Sequence, residues 1–345
     1  MALLEIKNLS VDFQTRNGVV HAVRDVSYTL DTGEMLGIVG ESGSGKSVGM
    51  LALMGLLAKN GRVVAGQMLL DGRDISPLAP EFAGDLKAYE KAMEEIRGVK
   101  IGMIFQDPMT YLNPVLKIGT QITEGILKHD KCTKAEAKER AISLMKQVGI
   151  PSPEDRFNQY PFEFSGGMRQ RIVIAIALAC KPKLIIADEP TTALDVTVQA
   201  QIIDLLKELA KKHNTAIIMI THDLGVVSMM CERVNIMYAG KIAESGSIDD
   251  IFYETKHPYT QGLLNSVGTH GATGRQSLLS IPGTPPDLLK LNRGCAFMPR
   301  CSKAMNICKD YQPSEENFGG GHCASCWYYC KEKAEELVKE QDAQA

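Results

Sequence analysis

Between Gly40 and Ser47 the chain reads Gly-Glu-Ser-Gly-Ser-Gly-Lys-Ser, a G-x-x-x-x-G-K-S spacing suited to holding phosphates. Glycines let the backbone fold into a cradle of N–H donors, and a helix N-terminus behind them adds the positive end of its dipole. Lys46 is expected to reach the β- and γ-phosphates of a nucleoside triphosphate, and the Ser47 hydroxyl to sit on Mg²⁺. Gly40, Ser42, Gly43, Ser44, Gly45, Lys46, Ser47 and Val48 are the expected contact set. A plain flexible Gly/Ser loop is the alternative, but an apolar run before it and a helical pattern after it supply the context the phosphate reading requires. A second element, "KLIIADEP", runs four apolar residues into Asp188 and Glu189. A carboxylate at the end of such a strand can hold Mg²⁺, often through water, and Glu189 can poise a water for attack on the γ-phosphate.

A different chemistry gathers near the end of the chain. Six of the nine cysteines fall between Cys295 and Cys330. Thiolates are soft ligands suited to iron–sulfur clusters and to zinc, and four are needed for either. The Cys323-x-x-Cys326 pair suits structural zinc. A loop-rich extension also holds too little core to fold without a staple, so a metal centre there has a structural purpose.

These groups must be positioned by a chain of 345 residues, long enough for one large domain plus an appendage. With 38 basic and 41 acidic residues the net charge is −3, which gives no electrostatic case for nucleic acid as a partner. No apolar run reaches the roughly 20 residues that span a bilayer, and "MALLEIKNLSVDF" has no signal-peptide pattern. The expectation is a soluble, cytoplasmic protein that meets a membrane only through partners. In that compartment clustered cysteines favour metal or redox chemistry over a disulfide framework.

The runs at Met35–Gly40, Lys100–Phe105, Lys183–Ala187 and Ala216–Thr221 read as buried strands separated by helical patterns, which implies an α/β core with a largely parallel sheet. "SVGMLALMGLL" suits a buried helix, and "VTVQAQIIDLLKELAKKH" carries an apolar stripe at Val198, Ile202, Leu205, Leu206 and Leu209. The opening "LLEIKNLSVDF" and "AVRDVSYTL" read as antiparallel hairpin material. Residues 109–180 are mostly helical and are expected to form an inserted subdomain. The Gly/Pro-rich stretch 268–286 reads as a link to the small extension, and "KEKAEELVKEQDAQA" as a solvated helix or frayed tail.

The stretch "EFSGGMRQRIVIAIAL", just upstream of the second carboxylate element, resembles the signature of ATP-binding cassette (ABC) ATPases, centred on Ser165, Gly166 and Gly167. Phe164 and Met168 stand where the family usually has Leu and Gln; the Met-Arg-Gln-Arg variant resembles its peptide importers. Gln106 in "IFQDP" matches the family's Q-loop, Ala193-Leu194-Asp195 its D-loop and His222 in "MITHDL" its switch histidine. Phe13 matches the aromatic that stacks on adenine, although an aromatic on that strand could equally be core. The resemblance implies a P-loop ABC ATPase core with an N-terminal antiparallel β-subdomain, a helical insertion and a cysteine-rich extension, divided as residues 1–266 and 267–345. It also implies Mg²⁺ held by Ser47, Gln106 and Asp188, and a signature that acts on ATP bound by a second ATPase subunit.

"GMIFQDPMTYLNPVLKIGTQI", "HPYTQGLLNSV" and "IPGTPPDL" narrow the resemblance to the dipeptide, oligopeptide and nickel importer subfamily, and to its D-type rather than its F-type ATPase. That implies a related F-type chain as partner, two integral membrane permease subunits, a peptide-binding protein outside the cell, and a place on the cytoplasmic face of the membrane. Subunits of this kind carry a C-x5-C-x6-C pattern, then a His, then a Cys beside an aromatic. The match is Cys295, Cys301, Cys308, His322 and Cys326 beside Trp327, which implies a [4Fe–4S] cluster on those four cysteines, with Zn²⁺ as the alternative and Cys323 and Cys330 as spare thiols. A soluble ABC ATPase that remodels a nucleic-acid or protein complex, or an importer of nickel or opines, stands as the alternative function.

Overall fold

The computed structural model describes residues 2–82, 84–192, 194–267, 281–291 and 293–330. The chain divides into two compact units. One holds Thr29–Met35 and Leu70–Ile220 with the first few residues; the other holds Glu5–Tyr28, Leu36–Leu69 and the chain from Thr221 on.

In the first unit three parallel strands, Ile101–Ile104, Leu184–Asp188 and Ala216–Thr221, run side by side, with Ile101 opposite Leu184 and Leu184 opposite Ala216. Every residue in them is buried. Parallel strands covered on both faces need continuous apolar sequence rather than alternation, so each shows plainly as a run. The helices Ile118–His129, Lys134–Gln147 and Gly166–Ala177 pack on one another. A reciprocal cap starts Lys134–Gln147: Glu136 N–H donates to Thr133 Oγ at 3.2 Å, and Thr133 N–H donates to Glu136 Oε2 at 2.7 Å. The helix Val196–His213 buries Ile202, Ile203, Leu205, Leu206 and Leu209. Val198 of the expected stripe is only half-buried, but its side chain fills the space beside Gly167.

In the second unit Leu4–Thr15 and Gly18–Leu30 form a hairpin. Asn8 N–H donates to Ser27 Oγ at 2.8 Å, Asp25 N–H to Ser10 Oγ at 3.0 Å, and His21 bonds Asp12 at 2.8 Å, a descending series that only antiparallel strands give. Met35–Val39 lies parallel to Arg233–Tyr238, which pairs antiparallel with Lys241–Ser247. The extension adds Cys323–Ala324 to that edge, Ala324 opposite Glu244, and Glu316–Asn317 beyond it. Its own core is small: Ile307, Cys308, Trp327 and Cys330. The helix after the phosphate loop covers Lys46–Leu53, shorter than the apolar run suggests. Gly55 takes φ 61°, and Leu56 N–H reaches back to Leu51 O at 2.8 Å, closing the helix.

Among the described residues no helix is long and apolar enough to cross a membrane. Most of the expected link, residues 268–280, and the charged tail 331–345 lie outside the described residues.

Candidate functional site

The phosphate loop leaves a fully buried strand, Met35–Val39, and enters the helix at Lys46. Gly45 sits at φ 98°, a region closed to most side chains, and the Ala22 carbonyl occupies the space a Cβ would need. Gly40 is crowded in the same way by the Met237 carbonyl and Ser44 Oγ. The loop is therefore pinned between the hairpin and the strand Arg233–Tyr238. Lys46 is buried and donates to Gly40 O at 2.6 Å, Glu41 O at 2.9 Å and Ser44 Oγ at 3.4 Å. Ser42 and Gly43 are exposed, Ser47 and Val48 half-buried, and the first helical turn carries no acid. An anion arriving there meets N–H donors, hydroxyls and an ammonium, with no carboxylate on the helix to repel it.

The same unit carries Phe13 and His222. Phe13 is half-buried on its strand, its ring filling the space beside Gly61. His222 is exposed just after Ala216–Thr221. Its neighbours are held by Asp223 N–H on Thr221 Oγ at 3.0 Å and Gly225 N–H on Asp223 Oδ1 at 2.7 Å.

The first unit carries the carboxylates. Asp188 ends its strand and is buried. Glu189 follows at φ 46°, a left-handed conformation that is strained for a non-glycine residue. Its Oε2 accepts Gln106 Nε2 at 2.8 Å and Thr192 Oγ1 at 2.9 Å. Ser165 caps the helix Gly166–Ala177, accepting Met168 N–H at 3.4 Å. Gly167 leaves room for Val198 at close approach. Phe164, in place of the family's Leu, is buried under the Arg156 guanidinium at 5.6 Å. Asp195 caps the next helix through Val198 N–H at 3.0 Å; Ala193 lies outside the described residues.

Cys295, Cys301, Cys308 and Cys326 all border one cavity of about 20 Å³, together with Met298, Met305 and Trp327. Burial pushes the Cys295 thiol up to about 11, with Cys308, Cys326 and Cys301 adding to the rise. Burial also raises Cys301 and Cys326. Cys323 and Cys330 do not line this cavity. Cys323 pairs in the sheet opposite Ser245 and lies beside Glu315, while Cys330 is core. Among the described residues no three His, Cys, Asp or Glu side chains are grouped to hold a single metal ion.

Three residues escaped the motif reading. Glu41 is a variable position of the loop, yet its carboxylate takes both ends of the Arg300 guanidinium, at 2.6 and 2.9 Å. Arg300 precedes Cys301, so position beside a cysteine expected to be a ligand was the available signal. Glu244 is fully buried and accepts Lys256 N–H at 2.7 Å, His257 N–H at 2.9 Å and His322 Nε2 at 2.9 Å. His322 is thus committed to a carboxylate.

Residues 23–192 match the family described as ABC transporter, and residues 243–308 match the oligopeptide/dipeptide transporter C-terminal region. The oligopeptide transport ATP-binding protein OppD of Bacillus subtilis (strain 168) is 53% identical over 94% of this chain and 88% of its own length. The dipeptide transport ATP-binding protein DppD of the same organism is 48% identical over 99% and 98%. Among solved structures, a dimeric ATP-binding cassette in a post-hydrolysis state, bound to ADP and phosphate, superposes with a TM-score of 0.61 at 27% identity. That likeness covers 71% of this chain and 98% of the cassette.

Proposed function

Because the chain belongs to the ABC transporter ATP-binding proteins, in the branch that includes OppD and DppD, we propose that it is the ATP-hydrolysing subunit of an importer of oligopeptides or dipeptides. The observation that carries this reading is identity of about half, sustained over nearly the full length, to proteins named for that transport. The match of residues 243–308 to the peptide-transporter C-terminal region supports it.

In this reading residues 1–266 bind and hydrolyse nucleotide and 267–345 form the extension. The N–H groups of Gly40–Val48 and the Lys46 ammonium bind the phosphates, and Phe13 stacks on the adenine. Ser47, Gln106 and Asp188 would hold Mg²⁺, which would offset the negative charge of the phosphates. Glu189, its Oε2 fixed by Gln106 and Thr192, accepts a proton from the attacking water, and His222 senses the γ-phosphate. Ser165, Gly166, Gly167 and Asp195 serve ATP held by a second cassette, an F-type chain. Two cassettes close on ATP and reopen after hydrolysis, and the differential affinity of the open and closed states for ATP and for ADP is what turns hydrolysis into motion. Two permease subunits hold the pair at the cytoplasmic face of the membrane, fed by a peptide-binding protein.

The cysteine-rich extension in this reading holds a [4Fe–4S] cluster on Cys295, Cys301, Cys308 and Cys326. Four thiols bordering one cavity support a thiolate-bound centre there, with Zn²⁺ as the alternative to the cluster. The role is structural: the centre braces a segment whose apolar core is only a few side chains.

The experiment that tests the transport reading is co-expression with candidate permease and F-type chains. A complex that copurifies and hydrolyses ATP faster when a peptide-loaded binding protein is added supports it. ATP hydrolysis that responds to nickel or an opine but not to peptides would sink the peptide assignment, and failure to copurify with any permease would sink the importer assignment.

A further inference from the structure

A cavity of about 300 Å³ lies within the second unit; no phosphate-loop residue lines it, and it shares His257, Cys295 and Phe297 with the wall of the cysteine pocket. Its walls come from the hairpin (Arg24, Asp25), the strand Lys241–Ser247 (Lys241) and the extension (Cys295, Phe297, Pro313, Glu315). We propose that this cavity binds a small oxyanion, a phosphate ester or a carboxylate, between the Arg24 guanidinium and the Lys241 ammonium.

Accounting for the polar groups carries the argument. Arg24 donates Nε–H to Ala239 O at 2.9 Å, and its main chain donates to Gly240 O at 2.7 Å, so the residue is anchored. Its Nη2 is nonetheless buried without a hydrogen-bond partner among the described residues. A guanidinium carries five donors, and a buried donor left without an acceptor costs stability, so such groups normally have one. Lys241 is half-buried, and its ammonium has neither a hydrogen bond nor an ion pair among the described residues. Burial pulls both cations below their ordinary values, partly offset at Arg24 by the Cys295 thiol on the same wall, while at Lys241 the Arg24 charge adds to the fall.

The two acids on the walls do not discharge this pair. Asp25 is exposed and takes Asn8 Nδ2–H at 2.8 Å, although its charge does favour the Lys241 cation. Glu315 faces Cys323. Two cations therefore border a volume that suits a small molecule, and an oxyanion supplies the acceptors both lack. Phe297 and Pro313 offer apolar wall to the body of such a ligand. Because the hairpin, the strand Lys241–Ser247 and the extension all contribute, an occupant would bridge the extension to the hairpin that packs on the phosphate loop at Gly45.

The test uses the full-length protein saturated with Mg²⁺ and ADP, so that added anions cannot report on the phosphate loop. Inorganic phosphate and acetate are each titrated by calorimetry. A saturable heat at one site per chain is expected, with phosphate preferred if the ligand is a phosphate ester and acetate if it is a carboxylate. Lys241→Gln should weaken that binding at least about tenfold, the scale of a charge-assisted hydrogen bond, and leave ADP affinity unchanged. Lys241 makes no side-chain hydrogen bond, so this variant should fold; Arg24→Gln, its fold checked by thermal melting, should give the same loss. No saturation by about 10 mM of either anion, or equal affinity in Lys241→Gln and the parent, would overturn the proposal.

Discussion

Arg300 grips Glu41 with both arms of its guanidinium, Nη1 to Oε2 at 2.6 Å and Nη2 to Oε1 at 2.9 Å. The Arg300 side chain is 5% exposed and that of Glu41 25%. Arg300 is fixed in turn by Pro282 O at 2.8 Å and Tyr238 OH at 3.3 Å. Glu41 also donates its main-chain N–H to Tyr259 OH at 2.9 Å and offers its carbonyl to Lys46 Nζ at 2.9 Å. Glu41 is therefore held by the extension through its carboxylate and holds Lys46 through its carbonyl.

Loosening that grip should be felt at the nucleotide. Arg300→Lys keeps the charge but cannot reproduce the planar fork, and Arg300→Met leaves Glu41 unpaired. Both variants are expected to weaken ATP binding, Arg300→Met by about tenfold, corresponding to roughly 1.4 kcal/mol. Glu41→Gln should do so less, since its amide still accepts one bond. Titration with a fluorescent ATP analogue reads the effect. Unchanged affinity in Arg300→Met would mean that the extension and the loop are joined without being coupled.

Glu189 stands in a strained left-handed conformation with its carboxylate held by Gln106 and Thr192. In Glu189→Gln the shape is kept and the proposed proton acceptor lost. Turnover of the assembled transporter should fall by at least about 10²-fold, within the range that general-base catalysis contributes, while ATP binding persists. Lys46→Ala should instead weaken binding itself. Thr192→Val, which removes a donor on Oε2, should lower turnover by less than Glu189→Gln does. Steady-state phosphate release and nucleotide titration together separate these outcomes.

What could be read from the chain alone was what local spacing or burial on both faces writes into it. The phosphate loop is eight consecutive residues, and the strands Leu184–Asp188 and Ala216–Thr221 are continuous apolar runs because both faces are covered. Helix ends were less legible: the run past Lys46 looks helical to Leu57, but the conformation of Gly55 stops it at Leu53. Arg300 and Glu41 are 259 residues apart, and neither is unusual in its own neighbourhood. Glu244 sits in "KIAESGS" like any polar strand residue. Its burial follows from donors that arrive from Lys256, His257 and His322 only after the chain has folded.

The four cysteines on the common cavity give a sharp expectation about ligands. Anaerobically purified protein should be brown, with absorbance near 400 nm (about the region expected for thiolate-bound clusters) and close to four irons per chain, about the content of one cubane. Cys326→Ser should abolish the colour, whereas Cys323→Ser and Cys330→Ser should keep it, since those two thiols lie off the cavity. Colourless protein with one zinc per chain would replace the cluster with a mononuclear site. Loss of colour in Cys323→Ser alone would shift the ligand set.

Glu244 should be the most sensitive polar position of the second unit. Its carboxylate is fully buried and takes three donors among the described residues, the main-chain N–H groups of Lys256 and His257 and, as the third, His322 Nε2. Glu244→Ala strips all three at once and opens a polar hole beside the strand that receives Ala324. The expected cost is about 3–5 kcal/mol, the scale of breaking a buried charged network by removing one member. Glu244→Gln keeps the shape and one acceptor oxygen but turns an amide N–H₂ toward a donor, so a cost of about 1–3 kcal/mol is expected. His322→Gln should cost less than Glu244→Ala, because it leaves both main-chain donors satisfied. Chemical denaturation of the three variants gives the order, and a Glu244→Ala protein as stable as the parent would show that solvent replaces the carboxylate at no cost.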